Sequence, residues 1–143
     1  MLKLRKGQMI IINNNTYLRK ERESWADFSG EEKPLLSESK NRTILILGKN
    51  PSNKKFIATS TTSGKKLKNG RRYYPPEFAY HDSKGKTFIK FQVIEFESRD
   101  IEGKFKHFRR LNNDQLNIFL NKFKERNVNL YKYYLNLLKE NES

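Results

Sequence analysis

All but one of the eight residues from Thr59 to Lys66 (Thr59-Ser60-Thr61-Thr62-Ser63-Gly64-Lys65-Lys66) carry a hydroxyl or an ammonium. Hydroxyls where a strand ends, followed by a glycine, can offer side-chain and backbone donors to one phosphate. A lysine just beyond can offset the charge that builds on a pentavalent phosphorane. Spacing alone fits an ordinary β-branched strand running into a glycine turn better than it fits a site. The surrounding charge changes the balance. From Lys49 to Pro76 there are eight Lys or Arg residues (Lys49, Lys54, Lys55, Lys65, Lys66, Lys68, Arg71, Arg72) and no acid. Phosphate oxygens need such donors to position a strand. Tyr73 and Tyr74 adjoin Arg71-Arg72, so bases could stack on a ring or a guanidinium plane. A solvated basic hairpin is the plain alternative; eight to zero over 28 residues favours binding.

Other chemistry is thinly represented. The two histidines, His81 and His107, have no spacing that pairs them for a two-histidine ribonuclease, and both read as surface residues. His81-Asp82 reads as part of a turn. There is no Cys, no His-x-x-x-His and no carboxylate cluster, so no metal is expected. No glycine-rich nucleotide loop is present, and no cofactor is expected. Glu95 and Glu97 share a strand face with Arg99; they read better as cross-strand partners than as general bases. The tyrosine stripe at 131–138 has the spacing of a helix core.

These residues need a scaffold, and 143 residues supply one domain, 1–143. Lys and Arg number 30 against 16 Asp and Glu, a formal charge of +14. A compact chain with that excess repels itself unless a polyanion neutralises it. Membrane surfaces are the other polyanion to consider, but no membrane partner is expected, and no apolar run approaches the ~18 residues of a spanning helix. The longest early run, Met9 to Ile12, is too short for a secretory signal core, so the chain is expected in the cytoplasm.

The elements follow from periodicity. Residues 4–12 read as a buried strand entered through Gly7. Residues 13–41 lose periodicity and read as a long loop with at most a helical turn near Trp25, mobile until a partner orders it. Residues 42–48 form a second strand, Asn50-Pro51-Ser52-Asn53 a hairpin turn, and Lys55–Thr62 a third strand. A basic loop covers 64–70, a short strand interrupted by Pro75-Pro76 covers 71–80, and 83–86 form a turn. From Thr87 to Glu97 the residues alternate with both faces partly apolar. Residues 98–111 read as a basic loop. Leu116, Phe119, Leu120 and Phe123, then Tyr131, Tyr134, Leu135 and Leu138, carry helical spacing, capped at Asn112 or Asn113, and read as one long helix or as two short ones broken near Asn127.

Three of these segments together resemble the MazF/PemK/Kid group of toxin endoribonucleases. Lys6-Gly7-Gln8-Met9-Ile10-Ile11-Ile12 resembles its opening basic-Gly-Asp strand. Arg42-Thr43-Ile44-Leu45-Ile46-Leu47, followed after a hairpin by Ile57-Ala58-Thr59-Ser60-Thr61-Thr62-Ser63, resembles its Arg-Pro strand and its strand ending in Thr-Ser. Lys90-Phe91-Gln92-Val93-Ile94-Glu95-Phe96 resembles its later strand bearing a Gln. The ordered set spans residues 5–100, about two-thirds of the chain. Gln8 stands for the usual Asp, Thr43 for the usual Pro, and Phe91 for an acid that often precedes the Gln. Thr62-Ser63-Gly64-Lys65 also resembles the Thr-Ser-x-Lys of the related ToxN group, held silent by an RNA antitoxin.

The resemblance implies a mainly β fold with C-terminal α structure: an SH3-like antiparallel β-barrel over about 4–106 and a helix or helix pair over about 112–140. It implies a toxin of a bacterial toxin–antitoxin system, of the kind used in phage defence. The activity implied is metal-independent cleavage of single-stranded RNA, the 2′-OH attacking the adjacent phosphorus to leave a 2′,3′-cyclic phosphate. Thr62, Ser63, Lys65 and Arg42 are then placed at the phosphate, and Lys49, Lys55, Lys66, Lys68, Arg71, Arg72 and Tyr73 along the RNA. The acid and base stay open among a perturbed Lys or Arg, Tyr17 and His81. The partners implied are the RNA substrate and an antitoxin, either an acidic protein or a structured RNA. A homodimer and a toxin–antitoxin oligomer are both left open. The alternatives are a non-catalytic basic RNA-binding module and a protein-interaction barrel.

Overall fold

The computed structural model describes residues 3–30, 40–62, 65–66, 68–69, 72–73, 79–82 and 87–139; for 65–66, 72–73, 79, 82 and 87 it describes the backbone alone. The chain is mainly antiparallel β-sheet with helices on both faces. In order it runs β1 (Gln8–Asn13), α1 (Asn14–Ser29), β2 (Asn41–Lys49), β3 (Phe56–Thr62), β4 (Lys65–Lys66), β5 (Arg72–Tyr73), β6 (Ala79–Asp82), β7 (Thr87–Lys90), β8 (Ile94–Phe96), α2 (Ser98–Ile101), β9 (Lys106–Arg110), α3 (Asn113–Arg126) and α4 (Val128–Lys139). Seven strands form one sheet in the order β6-β7-β3-β2-β1-β9, with β8 also on β3; β4 and β5 pair separately. Among the described residues the path does not close, and β6 and β9 stand at its two ends.

The unbroken apolar runs of β1 and β2 make sense because both faces of the sheet are covered. Met9, Leu45, Leu47 and Ile57 pack with Leu116, Phe119, Phe123 and Tyr134 of α3 and α4. Ile10, Ile12, Ile44, Ile46, Phe56 and Ala58 point the other way, against Tyr17 of α1 and Ile101 of α2. Over Thr87–Glu97 the expected alternation of faces holds, with Ile89, Phe91 and Val93 in the first cluster and Ile94 and Phe96 in the second, but the one expected strand is split into β7 and β8 by residues 91–93.

Of the two forms its periodicity allows, the C-terminal segment takes the helix pair, broken at Asn127, and of the two candidate caps Asn112 is the one used. Its side chain accepts from Gln115 N at 2.8 Å while Gln115 Oε1 accepts from Asn112 N at 3.0 Å, a reciprocal capping box. At the far end Tyr134 donates its hydroxyl to the Leu47 carbonyl at 2.7 Å. Gly48 follows, at φ +153, where an added Cβ would lie 2.7 Å from Leu138 Cδ2. Only glycine lets α4 come that close to β2.

Two sequence expectations are corrected. Residues 13–41 are not one long loop: α1 occupies 16 of them. Its Asn13 cap accepts from Asn15 N at 2.8 Å, and Gly30, at φ 76, closes it with N–H to Ala26 O. The periodicity was hidden because the buried face is Asn14, Tyr17, Lys20 and Ser24 rather than aliphatic. Trp25 rides on that ordered helix, half exposed, its ring 6.0 Å from Phe28. Residues 98–111 are not a loop either, but hold α2 and β9.

Candidate functional site

The strand β3 carries hydroxyls exactly where its pairing changes hands. Its first half, Phe56–Ala58, pairs with β8, and Thr61–Thr62 pair with β7. Residues 91–93 between β7 and β8 belong to neither strand. Thr59 fills the gap in the ladder: its Oγ1 donates to Lys90 O at 2.5 Å and accepts from Gln92 N at 3.2 Å. That fixes Gln92 beside Ser60, whose Oγ donates to Gln92 Oε1 at 2.6 Å.

Helix α1 lies across this point and contributes residues one helical turn apart, Tyr17 and Glu21. The Tyr17 hydroxyl reaches the Glu21 carboxylate, Ser60 Oγ at 2.9 Å and Gln92 Oε1 at 3.3 Å. It has one proton, and the carboxylate is the strongest of the three acceptors. Gln92 Nε2 donates to the same carboxylate oxygen at 3.1 Å. Tyr17, Glu21, Ser60 and Gln92 thus form one linked ring of polar groups. Tyr17 and Ser60 are buried; Glu21 and Gln92 are half-buried. Burial drives the Tyr17 phenol well above its ordinary pKa, and the charge and hydrogen bond of Glu21 push the same way. Ser60 and Arg42 oppose this only in part. Tyr17 is therefore a neutral phenol throughout the physiological range.

Arg42 closes the site. Its guanidinium carbon stands 4.7 Å from the centroid of the Tyr17 ring, within cation–π range. Nη1 donates to Thr61 O at 3.3 Å and Nε to Asn14 Oδ1 at 3.4 Å. The structure therefore brings Arg42 together with the end of β3, as the sequence leads one to expect. Thr62 is the half-buried last residue of β3, opposite Phe88. Ser63 and Arg71 lie outside the described residues. Lys65 and Lys66 form β4 against Tyr73 and Arg72 of β5, described in backbone only. Two intervening residues hold Lys65 within about 10 Å of Thr62. Lys68 is exposed in the turn of that small hairpin.

Lys49 and Lys55 are elsewhere. They sit at the opposite end of the β2–β3 hairpin, seven residues of strand from Arg42, or about 23 Å. Lys55 pairs with Glu95 at 3.8 Å, and Lys49 lies over the Phe56 ring. The run of eight basic residues that reads as one patch is thus split between two ends of a hairpin.

His81 is in β6, not in a turn, with its ring 4.8 Å from Phe88. His107 is in β9, with Nδ1 3.3 Å from Gln8 Nε2. These are the two end strands of the sheet path, and Phe88 of β7 pairs with both Thr62 and His81. Glu95 pairs with Lys55 at 3.8 Å from the neighbouring strand's end, but Glu97 and Arg99 do not share a strand face: Glu97 caps α2 and pairs locally with Arg99 of that helix at 2.5 Å.

Sequence reasoning missed Asn14, Glu21 and Ser60, and placed Gln92 only by resemblance. The signal was present as the spacing 14, 17, 21, 24, one helical stripe, but without apolar residues to announce it. Among the described residues no three His, Asp or Glu are placed to hold a metal ion. No helix is long and apolar enough to cross a membrane, among the described residues. Compared with models of known families, with curated proteins and with solved structures, the chain matches none.

Proposed function

We propose that this chain is an endoribonuclease of the MazF/PemK/Kid type, acting as the toxin of a toxin–antitoxin pair and cutting single-stranded RNA without a metal. The observation that carries the reading is Arg42: a half-buried residue of β2 whose guanidinium lies over the neutral Tyr17 phenol and donates to the Thr61 carbonyl, where β3 leads towards Lys65. A preorganised cation in a partly dry setting is what a phosphorane needs. The excess charge of +14 supplies attraction for the rest of the RNA. The SH3-like barrel class belongs to the same proposal. Its support is the antiparallel succession of β1, β2 and β3, bent by irregular pairing at Met9/Ile10 and Ile46/Gly48. Cytoplasmic action and an acidic protein or structured RNA as antitoxin follow from this reading.

The test is cleavage of a single-stranded RNA in excess EDTA, with mass spectrometry of the ends. The expected products are a 2′,3′-cyclic phosphate and a 5′-hydroxyl. RNA that is bound with a steep salt dependence yet never cut would make the chain an RNA-binding module instead.

A further inference from the structure

The basic stretch after Glu102 takes no part in the site at Arg42, yet its chemistry suits the same kind of partner. From Gly103 to Asn113 there are four Lys or Arg residues (Lys104, Lys106, Arg109, Arg110), one His, two Phe and no acid. Its middle is β9, at one end of the sheet path. Lys106, His107, Phe108 and Arg110 are all exposed. At 49% Phe108 is the most exposed large hydrophobic residue among those described.

The pairing with β1 sets Phe108 apart. Gln8, Met9, Ile10 and Ile11 pair with Arg110, Arg109, His107 and Lys106, so the ladder passes over Phe108. A bulge of this kind re-aims the side chain it carries. β9 also begins level with the site. Lys106 is opposite Ile11, and Ile11 is opposite Thr43, the residue after Arg42. Two strand spacings make that about 10 Å across the sheet. Arg110, opposite Gln8, lies about 10 Å farther along the same edge.

We infer that β9 is a second contact strand for single-stranded RNA: Phe108 stacks on an unpaired base, and Lys106 and Arg110, to either side of it, take phosphates. The inference rests on the RNA-binding part of the reading above and not on the cleavage step. Every base has a π-face, so one aromatic ring holds a strand without choosing its sequence. The phosphates that flank a stacked base meet the cations that flank the ring. A protein strand is the other partner that a sheet edge can take. At β9 the bulge and the exposed Lys106 are features that discourage strand addition, which leaves the polyanion as the partner that fits.

The test is binding of a 2′-O-methyl oligouridylate, a single strand that lacks the attacking hydroxyl and so stays whole. Phe108→Ala and Phe108→Leu are each expected to weaken binding about 5–100-fold, the range for one lost stacking contact. Phe108→Tyr keeps the ring and is expected to bind as wild type does. Lys106→Ala and Arg110→Ala should each lower the slope of log affinity against log salt by about 0.7, the value for one phosphate contact on a single strand. Neither lysine nor arginine variant touches the ring, so the slopes decide even where a Phe108 variant unfolds. If wild type binds the strand and Phe108→Leu, still folded, binds it equally well, the inference alone is overturned, as it is if both salt slopes are unchanged. If an acidic peptide is bound through Phe108 and RNA is not, β9 is a protein dock and the inference is overturned. If wild type binds no RNA at any salt, the RNA reading falls and this inference with it.

Discussion

The two faces of the sheet are buried by unlike means. Under α3 and α4 the contacts are apolar and aromatic, with Phe91, Phe119 and Phe123 at centroid distances of 5.6–5.9 Å. Tyr134 reaches the one carbonyl it needs, and burial raises its pKa. Under α1 the apolar packing of Ile44, Ile46 and Ala58 gives way, along the same strands, to Arg42 and Ser60. One face can be optimised for stability alone. The other keeps polar groups that must be paired to be tolerated, and such an arrangement is retained for what it does rather than for what it weighs. The contrast predicts that stability and activity separate by face.

The largest expected effect is on the apolar face. Phe123→Ala removes a fully buried ring and should cost about 3–5 kcal/mol in urea unfolding. At a temperature where the variant is still folded its cleavage rate should stay near wild type. A rate that falls in step with no loss of folded protein would break the division between the faces.

On the α1 face the sign reverses. Arg42→Ala should lower the cleavage rate about 10²–10³-fold, the scale of a lost transition-state donor, while shifting the melting temperature only a few degrees. Lys65→Ala should do the same to the rate if the end of β3 is the site, whereas Lys68→Ala, equal in charge lost, should change only binding. Equal losses in the two lysine variants would return Lys65 to the general basic surface.

A smaller effect sharpens the comparison. Tyr134→Phe leaves the Leu47 carbonyl without its hydroxyl donor and should cost about 1–2 kcal/mol, again with cleavage intact.

The smallest effect lies on the other flank of α1, where a cleft of about 540 Å³ is lined by Arg19, Lys20, Glu23, Arg99, Asp100 and others. Lys20 meets Asp100 at 3.2 Å and Glu23 at 3.3 Å. Burial opposes its charge, but these two carboxylates prevail and hold its pKa above 10.5. A raised pKa stabilises the fold fully below the unfolded value and ceases to do so as pH rises through the folded one. The stability gap between wild type and Lys20→Met should therefore be constant from pH 7 to about 10 and shrink above that. Lys20 and Asp100 are both buried, but Arg19 still pairs with Asp100 at 3.1 Å when Lys20 is replaced, so the gap at neutral pH should be about 1 kcal/mol.

What could be read in advance follows the same division. β1, β2, β3 and the α3–α4 pair were legible because aliphatic and aromatic residues mark their buried faces. Asn127 and Asn112 marked where the helices break and begin. α1 was not legible, since a helix that buries Asn14, Tyr17, Lys20 and Ser24 leaves no hydrophobic stripe; only its caps, Asn13 and Gly30, stood in plain view. β9 was hidden for a different reason: at the sheet's end most of its residues are exposed, so no alternation is imposed on it. Within the site, Arg42 and Thr62 were within reach of sequence reasoning because they flank a strand pair. Glu21 was not, because its contacts with Tyr17 and Gln92 depend on which helix lies over which strand. Lys49 and Lys55 were grouped with Lys65 because a linear count cannot see that a hairpin sends its two ends apart.

The contact between Tyr134 and Leu47 joins residues 87 positions apart. During synthesis, β1, β2 and β3 leave the ribosome before Leu116, Phe119, Phe123 and Tyr134, which pack with Met9, Leu45, Leu47 and Ile57 in one cluster, have been made. Closure waits for α3 and α4, and such late, long-range closure slows folding and leaves nascent chains prone to aggregate. A nascent or truncated chain lacking α3 and α4 is thus a target for chaperones and proteases rather than a working molecule. Folding itself is complete only when the last helix has docked beside Gly48.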